Sequence, residues 1–131
     1  QSTMIYGNQW DEVMSWLKIT EFASAPSKVD SDSSSWGNYR DSTGAAATGS
    51  GVLRTSGYNE AWQANNIYDL AGNCYEWTQE AESTYERTFR SGFYNNKGYG
   101  GTPSARATNN PSNTSYTNKS PISSRPTLYI K

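Results

Sequence analysis

Two carboxylates, Asp69 and Glu76, flank a Gly72-Asn73 pair and the sole thiol of the chain, Cys74, within NIYDLAGNCYEWT, residues 66–78. Three kinds of chemistry come into question. Paired carboxylates, Asp69 with Glu76 or Glu76 with Glu80, could share acid–base work, but nothing in the sequence sets either pair in a substrate cleft. Oxygen ligation is the second: calcium takes about six to eight oxygens, and Asp69, the carbonyls of Gly72 and Cys74, and Glu76 form an arc of the right chemical type. The competing structural reading has Asp69 capping the turn and Glu76 pairing with an arginine such as Arg90. The third is the thiol, which stands between Asn73 and Tyr75 with no adjacent Lys, Arg or His. That is the setting of an inert buried cysteine, not an activated one.

Much other chemistry is excluded by composition. The 131 residues contain no histidine and one cysteine. Ser-His-Asp and Cys-His nucleophiles are therefore impossible, as are an internal disulfide and a Cys-rich zinc site. TGSGV, residues 48–52, resembles neither a nucleophile elbow nor a phosphate loop and reads as a turn. The Asn-x-Ser/Thr sequons at Asn113 and Asn118 are expected by chance in so Asn- and Ser-rich a stretch. No apolar run approaches the ~20 residues of a membrane span, so membrane insertion is not expected, and no signal peptide is visible at the start. All twelve acidic residues lie in 1–86 and seven of the eleven basic ones in 87–131. The seven stand singly among Asn, Ser and Gly, so matching within the molecule is expected and nucleic acid is not.

The elements that must position these residues belong to one domain, 1–131. Apolar content is only 34%, yet 14% of the chain is aromatic, and large flat side chains can build a small core with wet polar tips. MIYGNQWDEVMSWLK predicts a helix capped by Asn8. Asp11 and Glu12 stand in its first turns, Lys18 at its end, and Trp10, Val13, Met14 and Leu17 on one apolar face. Residues 24–51 read as a long surface loop anchored by Trp36 and Tyr39. NNIYDL and CYEWTQEA suggest short strands about the Gly72-Asn73 turn, RTFRSGFYNN a further strand, and LYIK a closing one. Between the last two, residues 91–124 hold 24 Ser, Asn, Thr, Gly or Tyr among 34. Pro103, Pro111 and Pro121 stiffen that stretch, so it is expected to drape over the fold.

NNIYDLAGNCYEWTQEA closely resembles the N-I-x-D-L-x-G-N-V-W-E-W signature of the formylglycine-generating-enzyme/sulfatase-modifying-factor superfamily, a variant of the C-type lectin fold. RTFRSGFY resembles that family's R-x-x-R-G-G segment, SSRPTLYI its closing G-F-R-x-A strand, and MIYGNQWDEVMSWL the Tyr/Gly-Trp-Asp helix of phage and bacterial-surface members. The resemblance covers most of the chain. It implies an α+β domain of small antiparallel sheets, about two helices and much loop, with a scaffold around Trp10, Trp16, Trp62, Trp77 and Leu70. In that fold the terminal strands pair, and QSTMIY is a short partner for TLYIK, which leaves room for an upstream segment. Catalytic members carry a cysteine pair in the segment matching TPSARATNN, residues 102–110, where this chain has none. The resemblance therefore implies no oxidase activity. It also implies calcium at Asp69, Gly72, Cys74 and Glu76 as possible but not required. Departures from the pattern are Ser91 in place of Gly, and the residues Tyr75 and Pro126.

One branch is similar in a more telling way: the variable proteins of diversity-generating retroelements, including phage tropism determinants. Their adenine-specific mutagenesis rewrites codons near the C-terminus into Asn, Ser, Thr, Tyr, Asp, Gly and Ala, the vocabulary of 91–124. Antibody paratopes use similar residues, Tyr for rigid contact area and small polar groups for adaptable hydrogen bonds. The resemblance thus implies a non-catalytic, ligand-binding domain with its variable region within 87–125. Its expected contact positions are Phe93, Tyr94, Asn95, Asn96, Tyr99, Ala105, Ala107, Thr108, Asn109, Tyr116 and Asn118. The implied partner is a protein or glycan on a cell surface, and the implied location a phage tail or an extracellular surface.

Overall fold

The computed structural model describes residues 2–112 and 120–128. The described residues are α+β, with two α-helices, a short 3-10 helix (Gly44–Ala47) and three small sheets. Strand β1 (Ser2–Met4) leads into α1 (Gly7–Ile19), and a short α2 (Ser27–Asp30) follows. Then come β2 (Gln63–Ala64), β3 (Ile67–Tyr68), β4 (Tyr75–Ala81), β5 (Arg87–Arg90), β6 (Arg106–Asn109), β7 (Ile122–Ser124) and β8 (Pro126–Leu128).

Helix α1 forms where the 3.6-residue period predicts, and it buries Trp10, Met14 and Leu17, each contributing roughly 2 kcal/mol by leaving water. Val13 packs against that core from a half-buried position. The start differs from expectation: the helix begins at Gly7, so Asn8 lies inside it, and the cap is Tyr6, whose N–H donates to Gln9 Oε1 at 3.0 Å. At the other end Lys18 reaches Asp30 at 2.6 Å and ties α1 to α2. The Lys18 ammonium holds the Asp30 carboxyl below its ordinary range.

Residues 24–51 are more than a surface loop. Trp36 is 4% exposed and Tyr39 fully buried. Both join the core of Trp10, Met14, Leu17, Phe22, Val29 and Leu70. Of the expected scaffold residues, Trp10, Trp62 and Leu70 are buried and Trp77 is half-buried, but Trp16 is 43% exposed. The reason is periodic. Trp16 falls off the stripe that runs through positions 10, 13, 14 and 17.

The terminal strands pair: Ser2 faces Leu128 and Met4 faces Pro126, antiparallel. β2 and β3 form a minimal hairpin. The main sheet has the order β6-β5-β4-β7. It is mixed where antiparallel pairing was expected, because β7 runs parallel to β4, with Tyr75 opposite Ile122 and Trp77 opposite Ser124. The order leaves β6 and β7 at opposite edges.

Side chains divide by face along this sheet. Thr78, Thr88 and Arg90 are buried on one face, from which the Arg90 guanidinium reaches to 5.9 Å from the Trp10 ring of α1. On the other face Trp77 stands opposite Phe89, and Phe89 opposite Ala107. There Tyr75, Trp77, Phe89, Phe93 and Tyr94 form a run of ring contacts, 4.7 to 5.5 Å between centroids. Phe89 and Phe93 are buried in it. This aromatic layer is separate from the main core.

Candidate functional site

The Gly72-Asn73 turn is a junction of loops. Gly72 has φ +75°, and a Cβ there would stand 2.1 Å from Asn38 O, so only glycine fits. Asn73 has φ 62°, tolerable for asparagine, and its side chain makes three hydrogen bonds. Its Oδ1 accepts from Asn38 Nδ2 and from the Arg54 N–H, each at 3.0 Å, and its Nδ2 donates to Arg54 O at 3.0 Å. Its backbone N–H donates to Asn38 O, and its carbonyl accepts from the Tyr94 N–H. One buried residue thereby fixes three loops, including the start of the proposed variable region.

Ser91 stands where the resembled signature has glycine. Its φ is 68°, a backbone state glycine adopts more readily. Its hydroxyl donates to Leu70 O at 2.8 Å and accepts from the Gly72 N–H at 3.2 Å. Two buried hydrogen bonds offset the conformational cost.

The calcium arc meets a guanidinium. Glu76 is paired with Arg125, and the correction is specific: Arg90, its neighbour across the ladder, turns instead to Asp11 on α1 at 2.5 Å and to Glu80 at 3.8 Å. Arg125 Nη2 donates to Glu76 Oε1 at 2.6 Å and Nε to Oε2 at 2.9 Å, a two-pronged fit, and Nη2 also donates to Tyr68 O at 3.0 Å. Burial raises the Glu76 carboxyl above its ordinary range, and Arg125 only partly offsets that.

Asp69 Oδ2 accepts from the Ser56 hydroxyl at 2.7 Å and the Gly57 N–H at 3.2 Å. Its Oδ1 is buried with no protein partner. Asp69, Cys74, Glu76 and Arg125 line one cavity of about 330 Å³ together with Arg54 and Ser123. With both Glu76 oxygens held by a cation, the four expected ligands do not fit calcium as they stand. Among the described residues, no three Asp, Glu or Cys side chains converge to hold an ion. Cys74 is half-buried, and burial, then the charges of Glu76 and Asp69, push its thiol up to about 11.

The expected contact positions divide sharply. Phe93 is 8% exposed and packs on Tyr75, so it belongs to the aromatic layer and not to the surface. Asn96 is structural as well: its Oδ1 accepts from the Phe93 N–H and its carbonyl from the Arg40 N–H. Asn95 and Tyr99 are exposed, Tyr99 at 63%, and Tyr94 is half-buried. The backbone around them is pinned, since the Gly98 N–H donates to Asp41 Oδ1 and its carbonyl accepts from the Ser33 N–H. Further on, the Tyr39 hydroxyl donates to Gly101 O and Trp10 Nε1 to Pro103 O. The stretch expected to drape is therefore stitched in through residue 103. Edge strand β6 carries Ala107, exposed, and Thr108 and Asn109, half-buried, with Ala105, also half-buried, just before it. Tyr116, Asn118 and the sequon Asn113 lie outside the described residues.

Sequence reasoning passed over Asn38, Ser91 and Arg125. Asn38 binds Val52 O, Asn73 and the Gly51 N–H from inside what read as a surface loop. The only advance signals were the Ser in the Arg-Gly-Gly position and the Arg in the closing-strand motif. Compared with known proteins, the chain matches no family model, no curated protein and no solved structure.

Proposed function

We propose that this is a non-catalytic ligand-binding domain of the C-type lectin fold, a diversity-generating-retroelement variable protein that displays a Tyr/Asn/Ser-rich surface to a protein or glycan on a cell surface. One observation carries the reading. From Tyr94 to Tyr99 the backbone is bonded to Asn73, Arg40, Asp41 and Ser33, while Asn95 and Tyr99 project into solvent. A loop held by its main chain can change its side chains without changing its course. The signature resemblance and the vocabulary of 91–124 support the same reading, as does the lack of a cysteine pair in 102–110. A phage tail or bacterial surface is the setting the resemblance favours.

The test is a display library randomised at Tyr94, Asn95, Tyr99, Ala107 and Thr108. Most members should stay folded and protease-resistant, and selection against an immobilised cell-surface protein or glycan should enrich binders. General loss of folding at these positions would overturn the reading. Sequencing the locus adds a second check, with a reverse transcriptase and a repeat differing only at adenines expected nearby.

A second reading, an assembly module of a phage or cell surface, is favoured by an apolar groove beside α1. There Trp16 and Ile19 are exposed, and a groove of about 530 Å³ runs between α1 and β8, lined by Ile5, Val13, Trp16 and Pro126. Self-association lost on Trp16→Ser would favour it.

A further inference from the structure

The cavity beneath the signature turn holds a charge pattern that ligand display does not require. Glu76 is 5% exposed at its side chain, and a buried carboxylate must be paired or neutralised. Its partner comes from far along the chain, at the joint between β7 and β8. The Arg125 guanidinium grips both Glu76 oxygens and the Tyr68 carbonyl. Asp69, which lines the same cavity, keeps its Oδ1 buried without a partner. Two oxygens of Glu76, one of Asp69 and one carbonyl are the hard oxygen donors that calcium takes, with water able to complete the set.

We propose that Arg125 is the resident cation of this pocket: its guanidinium stands where a divalent ion would otherwise bind, and it fastens the closing strands to the signature turn without metal. Bidentate charge-assisted bonds give such a tie both strength and direction. Two consequences follow. The wild-type domain is indifferent to calcium, and removing the guanidinium uncovers a latent oxygen site that calcium can fill.

Thermal melts of the wild type and of Arg125→Ala in EDTA, in millimolar magnesium and in millimolar calcium test this. A ligand bound only by the native state must raise its melting temperature. The wild type should melt within about 1 °C in all three. Arg125→Ala should melt lower by about 5 °C or more in EDTA and regain at least half of that loss in calcium, with less in magnesium. Adding Glu76→Gln to Arg125→Ala should abolish the recovery. A wild type stabilised by calcium would overturn the proposal, as would a variant that calcium does not rescue or a rescue that survives Glu76→Gln. If Arg125→Ala does not fold in EDTA, refolding with and without calcium decides: folding only with calcium supports the proposal, and folding in neither defeats it.

Discussion

Asn73 and Tyr99 both sit in loops, and the molecule uses them in opposite ways. Asn73 is 6% exposed, and its amide makes three hydrogen bonds to two other loops. Tyr99 is 63% exposed, and its ring lies 5.3 Å from the Lys97 ammonium over a backbone fixed by others. In the first region side chains hold the main chain, and in the second the main chain is held so that side chains are at liberty. Loop is therefore two different things here. The difference is read from who supplies the hydrogen bonds, not from the absence of helix or strand.

Breaking the first region should cost most. Asn73→Ala removes three hydrogen bonds, one buried and two part-buried, leaves the Arg54 N–H without its acceptor and keeps a left-handed φ. A loss of about 3–4 kcal/mol is expected, read as a lower midpoint in urea. Asn73→Asp should recover part of it, since one oxygen can still accept from Asn38. A loss under 1 kcal/mol would mean that the junction is redundant.

Ser91 sharpens the contrast, because it bridges Leu70 and Gly72 from the first residue of the supposed variable stretch. Ser91→Ala should destabilise by about 2 kcal/mol. Ser91→Gly should cost less, about 1 kcal/mol, because glycine relieves the positive φ as the hydroxyl is lost.

Cys74 gives a pH test of the same region. With its thiol raised from an ordinary 9.0 to about 11, the native thiolate fraction at pH 8 is about a hundredfold below that of the unfolded chain. Reaction with a thiol reagent should slow by about that factor relative to urea-unfolded protein. The sign for stability follows: a raised folded-state value contributes stability below pH 9 that is lost as the pH climbs through about 11. Equal native and unfolded rates at pH 8 would show an open thiol.

The smallest effect belongs to the display side. Asn95→Ala and Tyr99→Ala should each change stability by no more than about 0.5 kcal/mol, while altering whatever the surface binds. A larger loss at either position would erase the distinction between the two regions.

Periodicity and composition made some of this legible before any coordinates. The α1 stripe of Trp10, Met14 and Leu17 repeats every three to four residues, and its burial follows directly. The same stripe excludes Trp16, and grouping it with Trp10, Trp62 and Trp77 as scaffold obscured that. Gly72-Asn73 was legible as a turn, but its role as a junction was not. Its partners Asn38 and Arg54 are distant in sequence, and hydrogen bonds across such separations leave no local pattern. That Glu76 pairs with an arginine was legible, but which arginine was not, for the same reason. Arg90 stands opposite it in the ladder, yet Asp11 and Glu80 draw that guanidinium toward α1, and Arg125 arrives from the far end of the chain. Within 91–124, composition could not separate Phe93 and Asn96, which are held in the fold, from Asn95 and Tyr99, which face out.

The placing of β6 and β7 at opposite edges of one sheet bears on how the molecule can change over generations. The chain between Asn109 and Ile122 joins two anchored ends, one braced by β5 and the other by β4 and the Arg125 tie. The entropy of closing a connection between two fixed ends grows only with the logarithm of its length, so doubling one costs about 0.6 kcal/mol. Insertion or deletion between those anchors should therefore cost little stability.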